Sequence, residues 1–313
     1  MAVDVAVIAA LVASVGFGVN AVVVQIGMAR IGSPGNLSPA FAASFIITAT
    51  SVVFFWLLVL ATGGLPELSI RLLAPFIITG IFYPAAFRFL YYKGIDRIGA
   101  SVAGTAVAAN PAVAAVLAVA VLGEAVTPSL GLGLVCIIAG GSLLQIAKQR
   151  GDTGSGATDV IVEELKSASA WDLVYPLGAM TAAGAGAVVI SAGLNTFPHP
   201  VVATAVTQTT ALSVFLWAIL SSKTLQQDVK TCVQHRAVTV LFIFAGALLT
   251  VAWLSQFVAL QTGEVVVVIP LVNTNPLVIV VLTYALARQF PRSPRVIAGI
   301  VTLVFGATLI QAF

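Results

Sequence analysis

The chain has 313 residues, 60% of them hydrophobic and 8% charged, with a formal net charge of +3. Soluble domains carry about 25% charged residues, so water is excluded as the solvent for most of this surface. The Lys and Arg residues form no basic cluster, which excludes nucleic acid as a partner and leaves them as markers of orientation in a lipid bilayer.

A run of roughly 20 apolar residues suffices to cross a bilayer. Such runs fall in chain order at 4–29, 38–61, 72–92, 98–121 and 129–147, then at 173–194, 200–221, 237–258, 265–287 and 296–312. The first has no charged region ahead of it and no small-residue cleavage site after it, so it reads as a permanent span. Inside lipid every backbone N–H and C=O must be satisfied within the span, and the alternating polarity of a barrel strand is missing. The expected fold class is therefore all-α integral membrane, with ten transmembrane helices in a multi-pass protein of the cell membrane.

Residues 148–171, with GDTGSG, Glu163, Glu164 and Lys166, form the one sizeable polar stretch and read as a linker between units 1–147 and 172–313. The two units repeat each other. GVNAVVVQIGM (Gly18 to Met28) matches GAGAVVISAGL (Gly184 to Leu194), and FIITG at Phe76 matches FIFAG at Phe242. Pro39 and Trp56 are spaced like Pro200 and Trp217; Asn110-Pro111 lines up with Asn275-Pro276, and Gly133 with Gly140 matches Gly299 with Gly306. These matches come in order at offsets of 161 to 166. Five spans per unit is an odd number, so the second unit enters the membrane from the opposite side. Two inverted five-helix repeats are expected, an arrangement that secondary transporters use to place a substrate site near mid-bilayer.

The segment SVAGTAVAANPAVAAVLAVAVLGEAVTPSLGLGLVCIIAGGSLL, ending at Leu144, has a run of small residues and a mid-helix Pro. An apolar stretch closing on Leu-Gly-Glu, a short turn and a Gly-rich helix follow. In this it resembles the EamA-like branch of the drug/metabolite transporter superfamily, over essentially the whole chain as two five-helix units. The second unit departs from the pattern: Gln289, in ALARQF, stands where the first has Glu124. The resemblance implies a carrier of small-molecule metabolites, a class that includes amino acids, nucleotide-linked sugars and drugs, with both termini in the cytoplasm. The charges point the other way. Arg30, Lys93, Arg97, Lys148, Arg150, Lys166, Lys223, Lys230, Arg236, Arg288, Arg292 and Arg295 all fall in odd-numbered loops, against Arg71 alone in the even ones. By the positive-inside rule both termini then face outward, and the charges are followed here.

Asn110-Pro111 and Asn275-Pro276 sit near the middle of their spans, where proline frees the carbonyls of Val107 and Val272 and the Asn adds a donor and an acceptor. They read as polarised, kinked helices beside a central cavity, or as inter-helix packing. Arg88 is the one basic residue well inside a span and either lines that cavity or snorkels toward the interface near Lys93. Asn20, Gln208, Gln256 and Asn273 also lie deep and complete the candidate cavity set. Cys136 and Cys232 show no CxxC and no His at ligand spacing, so neither a disulfide, a metal nor a cofactor is expected. His199 and His235 fall in loops and no nucleophile sits beside a base, which argues against an enzyme. Asp4, Asp96, Glu124 and Glu264 all lie near span ends. With no carboxylate at mid-depth, the expectation is uniport or exchange without carboxylate-based proton antiport, surviving replacement of Glu124 and Glu264 by Gln. A channel or a non-transporting membrane scaffold is the alternative class, and a homodimer is compatible with the sequence without being required by it.

Overall fold

The computed structural model describes residues 2–31, 37–66, 69–150, 169–287 and 294–311, and the regular structure among them is all helical. Most of the expected linker, and Gln289, lie outside the described residues. In the first repeat, α1 (Ala2–Ile31) and α2 (Leu37–Ala61) are followed by α3 (Ile70–Gly80), which a kinked segment, Ile81–Ala86, with Tyr83 outside helical conformation (φ −142°, ψ 104°), joins to α4 (Phe87–Ile98). Then come α5 (Ala100–Ala108), α6 (Asn110–Leu117) with a π-helical segment, Ala118–Leu122, and α7 (Pro128–Arg150). The second repeat holds α8 (Val174–Thr196), α9 (Pro200–Leu220), α10 (Lys223–Gln234), α11 (Arg236–Thr262), α12 (Val265–Val272), α13 (Asn275–Ala287) and α14 (Pro294–Gln311). Helices α7, α9 and α14 each open on a proline, whose fixed φ suits the first turn and whose missing N–H costs nothing there.

Eight of the helical stretches are long and apolar enough to span a bilayer; Pro128–Leu144 and Pro294–Ile310 are apolar but shorter. The outward surface is apolar too. Leu60 and Trp217 are each 72% exposed and Val116 68%, exposure that only a hydrocarbon solvent makes favourable. The protein is a multi-pass integral membrane protein.

The two repeats interlock rather than sit side by side. Helix α1 packs on α11, α8 on the α3–α4 stretch, and α7 on α14. Each contact has a partner in the other repeat. A methyl group on Gly18 would lie 2.6 Å from Val278, and one on Gly184 would lie 2.8 Å from Val113. Gly27 meets Phe242 as Gly193 meets Phe76, and Gly246 meets Thr50 as Gly80 meets Thr210. The repeated glycines of the sequence are thus the points where backbones close on one another, the small-residue packing that membrane interiors use in place of a hydrophobic drive. Helices α7 and α14 show the inversion directly: Gly133 faces Gly306 and Gly140 faces Gly299, so these equivalent helices run antiparallel.

Helix α10 was not among the ten expected elements, because its region reads as a polar loop. Its apolar residues Leu225, Val229 and Cys232 follow helical spacing, and the Ser222 side chain caps it by accepting from the Leu225 N–H at 3.4 Å. Cys232 lies on the buried face of this helix, where burial and then the charge of Asp228 push its thiol pKa up.

Candidate central cavity

Both Asn-Pro pairs mark full interruptions rather than kinks. Helix α5 stops at Ala108 and α6 restarts at Asn110; α12 stops at Val272 and α13 restarts at Asn275. Pro111 and Pro276 therefore occupy first turns, where no N–H is needed. The hydrogen bonds around the breaks repeat as well. Ala109 N donates to Ala106 O at 3.1 Å as Thr274 N does to Leu271 O, and Ala112 N donates to Ala109 O as Leu277 N does to Thr274 O. Broken helices inside a membrane are tolerated where they line a cavity or are wrapped in protein.

Side chains take over the backbone groups released at the breaks. The Asn110 Nδ2 donates to Val107 O at 2.9 Å, which is the carbonyl that Pro111 leaves without a helical donor. The same amide donates to Asn273 Oδ1 at 2.9 Å, and Asn273 Nδ2 returns a longer bond to Asn110 Oδ1 at 3.4 Å while also meeting Ile269 O at 2.8 Å. One amide pair thus ties the two breaks, and with them the two repeats, together. Thr274 adds a second tie, its hydroxyl meeting Ser14 at 2.9 Å.

Beside this junction lies a cavity of about 330 Å³. Its polar lining is Asn110, Gln256, Asn273 and Asn275, next to Pro276, and its aromatic lining is Phe17, Tyr83, Phe87 and Tyr91. The rings of Phe87 and Tyr91 lie nearly parallel, 8° apart in plane and 5.9 Å between centroids, while Tyr83 meets Phe87 edge-on at 5.4 Å. Gln256 is 1% exposed and its Oε1 has no hydrogen-bond partner among the described residues. A second hollow of about 360 Å³ sits between Thr62–Pro66 and Pro198–Val202, at the face of the even-numbered loops, and is walled mainly by glycine, proline and apolar residues.

Of the nine candidate residues, the structure brings Asn110, Gln256, Asn273, Asn275 and Pro276 to one cavity. The other four lie elsewhere. Asn20 turns into the α1–α11 contact and donates to Ala245 O at 2.7 Å, leaving its neighbour Ala21 to face the cavity. Arg88 neither lines the cavity nor pairs with a carboxylate among the described residues; its guanidinium sits over the Phe215 ring of α9 at 5.9 Å. Gln208 is fully buried in α9 with neither end of its amide partnered among the described residues, and Pro111 is packed inside α6. The aromatic wall is what sequence reasoning missed. The spacing of Phe87 and Tyr91 four residues apart was part of its signal, since residues so spaced share a helix face, whereas Tyr83 is brought beside them by the kink that precedes α4.

Glu124 seals the even-loop end of the same helix pair. Gly123, at φ 72°, takes the left-handed turn that glycine adopts without strain, and the chain then presents Glu124 to the start of α12. Its two carboxylate oxygens accept from Val265 N and Val266 N, both at 2.9 Å. A carboxylate here satisfies two orphan donors and sits at the positive end of the helix dipole.

Among the described residues no three His, Cys, Asp or Glu side chains are grouped to hold a metal. Among the solved structures it is similar to is a crystal structure at 16% identity and TM-score 0.63, covering 99% of this chain and 98% of its own, a likeness that shows the fold alone. No curated protein matches the chain by sequence. The model of one family matches it twice, over residues 4–145 and 170–311, in register with the repeats seen in the packing. The chain belongs to the EamA-like transporter family.

Proposed function

We propose that the chain crosses the membrane ten times, with α7 and α14 as the fifth and tenth spans, and acts as a carrier. It moves a small metabolite by alternating access, as a uniporter or exchanger, through the cavity beside Asn110 and Asn273. The observation that carries this reading is the coincidence of three features at one point: both helix breaks, the amide pair joining the repeats, and a cavity of about 330 Å³. A pseudo-two-fold axis in the membrane plane passes near that point, so rocking one repeat against the other opens the cavity to either face in turn. The Glu124 cap on α12 is one of the contacts that holds the even-loop end shut.

A metabolite-library thermal-shift screen of the purified protein identifies ligands, because a compound bound only by the folded state raises Tm. Counterflow of the best hit into proteoliposomes then tests the carrier. Saturable uptake stimulated by excess substrate on the far side is the expected result. Linear, non-saturating flux supports a channel instead, and ligand binding without flux supports a scaffold.

A further inference from the structure

The chemistry of the cavity wall narrows what it can hold. No Asp, Glu, Lys, Arg or His lines it among the described residues, and the Arg88 guanidinium lies over the Phe215 ring. A charged solute entering such a site loses its hydration without direct contact to a counter-charge, a cost of several kcal/mol. Part of the lining is aromatic, with Tyr83 edge-on to Phe87 and Phe87 stacked nearly parallel to Tyr91. The rest of the polar lining is amide. Asn110 and Asn273 spend their hydrogen-bonding capacity mainly on each other and on Val107 and Ile269, whereas the Gln256 Oε1 is buried and unpartnered. An unpaired buried acceptor is costly, and a ligand that donates to it removes the cost. The volume, about 330 Å³, lies at the low end of ligand pockets.

We propose, on the basis of the carrier reading, that this cavity takes a small, flat, uncharged heteroaromatic solute of the carboxamide or nucleobase class. Its ring packs among Tyr83, Phe87 and Tyr91, and an N–H of its amide or ring donates to Gln256.

Calorimetric binding to the purified full-length protein tests this with matched pairs: nicotinamide against nicotinate and the 1-methylnicotinamide cation, and uracil against orotate. Each pair keeps the ring and changes the charge. A neutral member is expected to bind about tenfold or more tightly than its charged partners, and Gln256→Leu to weaken it by about tenfold or more, since a site built to hydrogen-bond a group loses most when that bond is lost. Gln256→Glu, at mildly alkaline pH, is expected to shift preference toward the cation. Should Gln256→Leu fail to fold, the matched pairs on the native protein decide alone. Tighter binding of nicotinate or orotate, or of neither neutral ring, overturns the solute class. Failure of the carrier reading appears separately, as linear flux or no flux of whatever ligand the thermal-shift screen yields.

Discussion

Asn110 is a small part of the chain with a large structural debt to its neighbours. Its amide serves Val107 O and Asn273 at once, so Asn110→Leu is expected to remove the amide tie between the two helix breaks and leave Val107 O unpaired in a dry interior. A buried polar group left without a partner costs about 1–3 kcal/mol, which should appear as a lower Tm in detergent together with loss of exchange. Asn275→Leu is expected to reduce exchange with a smaller change in Tm, because Asn275 lines the cavity without carrying a hydrogen bond between described residues. Both Asn-Pro pairs were legible in the sequence because the internal repeat presents the pair twice at matching positions, although it read as kinks rather than full breaks. That Asn110 meets Asn273 rather than its own counterpart Asn275 was not legible. Nor was the turning of Asn20 into the α1–α11 contact. Spans buried on most sides carry apolar residues all round, so the sequence has no polar face from which to read side-chain direction.

Two elements depend on contacts that local sequence does not announce. Helix α12 begins under Glu124, a residue from the other repeat, and a charge-assisted bond to a backbone N–H is worth about 1.5–3 kcal/mol. Glu124→Ala is expected to lower Tm and to raise hydrogen exchange at the start of α12, with Glu124→Gln intermediate because it keeps one acceptor. Glu264→Gln, at an exposed position with no side-chain hydrogen bond among the described residues, is expected to leave both unchanged. The structure thereby gives Glu124 a holding role at the even-loop face, while transport by the Gln variants remains the check on proton coupling. Helices α7 and α14 depend on absent side chains. A methyl group at Gly140 would come within 2.7 Å of Leu303 N and 2.9 Å of Gly299 O, whereas one at Gly141 meets nothing within 4 Å. Gly140→Ala is therefore expected to destabilise by about 1–3 kcal/mol through overpacking against backbone, and Gly141→Ala to be near neutral, as read by thermal unfolding of the two variants. The repeated glycines were visible as a pattern; that they mark backbone contact between equivalent antiparallel helices required the packing.

The whole molecule is a pair of inverted repeats locked through glycine contacts and through hydrogen bonds such as Asn110–Asn273, Ser51–Thr250 and Trp56–Thr209. Composition alone was enough to place it in the membrane, and internal repetition was enough to divide it in two, because both depend on sums over many residues. Orientation is a property of the same scale. The bias of Lys and Arg toward the odd-numbered loops gives termini outside, against the cytoplasmic termini that family resemblance implies. Fusion of a cytoplasm-only reporter to either end is expected to be inactive, and an active fusion reverses the assignment. Alternating access itself is tested most directly without a known substrate, by placing a cysteine at the cavity-lining position Ala108 in a chain whose Cys136 and Cys232 are replaced by serine. An impermeant maleimide is applied to one face of sealed vesicles at a time, while a trapped tracer ion reports leakage. The expected result is labelling from both faces with the tracer retained, because the cavity opens to each side in turn and never to both; labelling from one face only, or from both with the tracer lost, contradicts it.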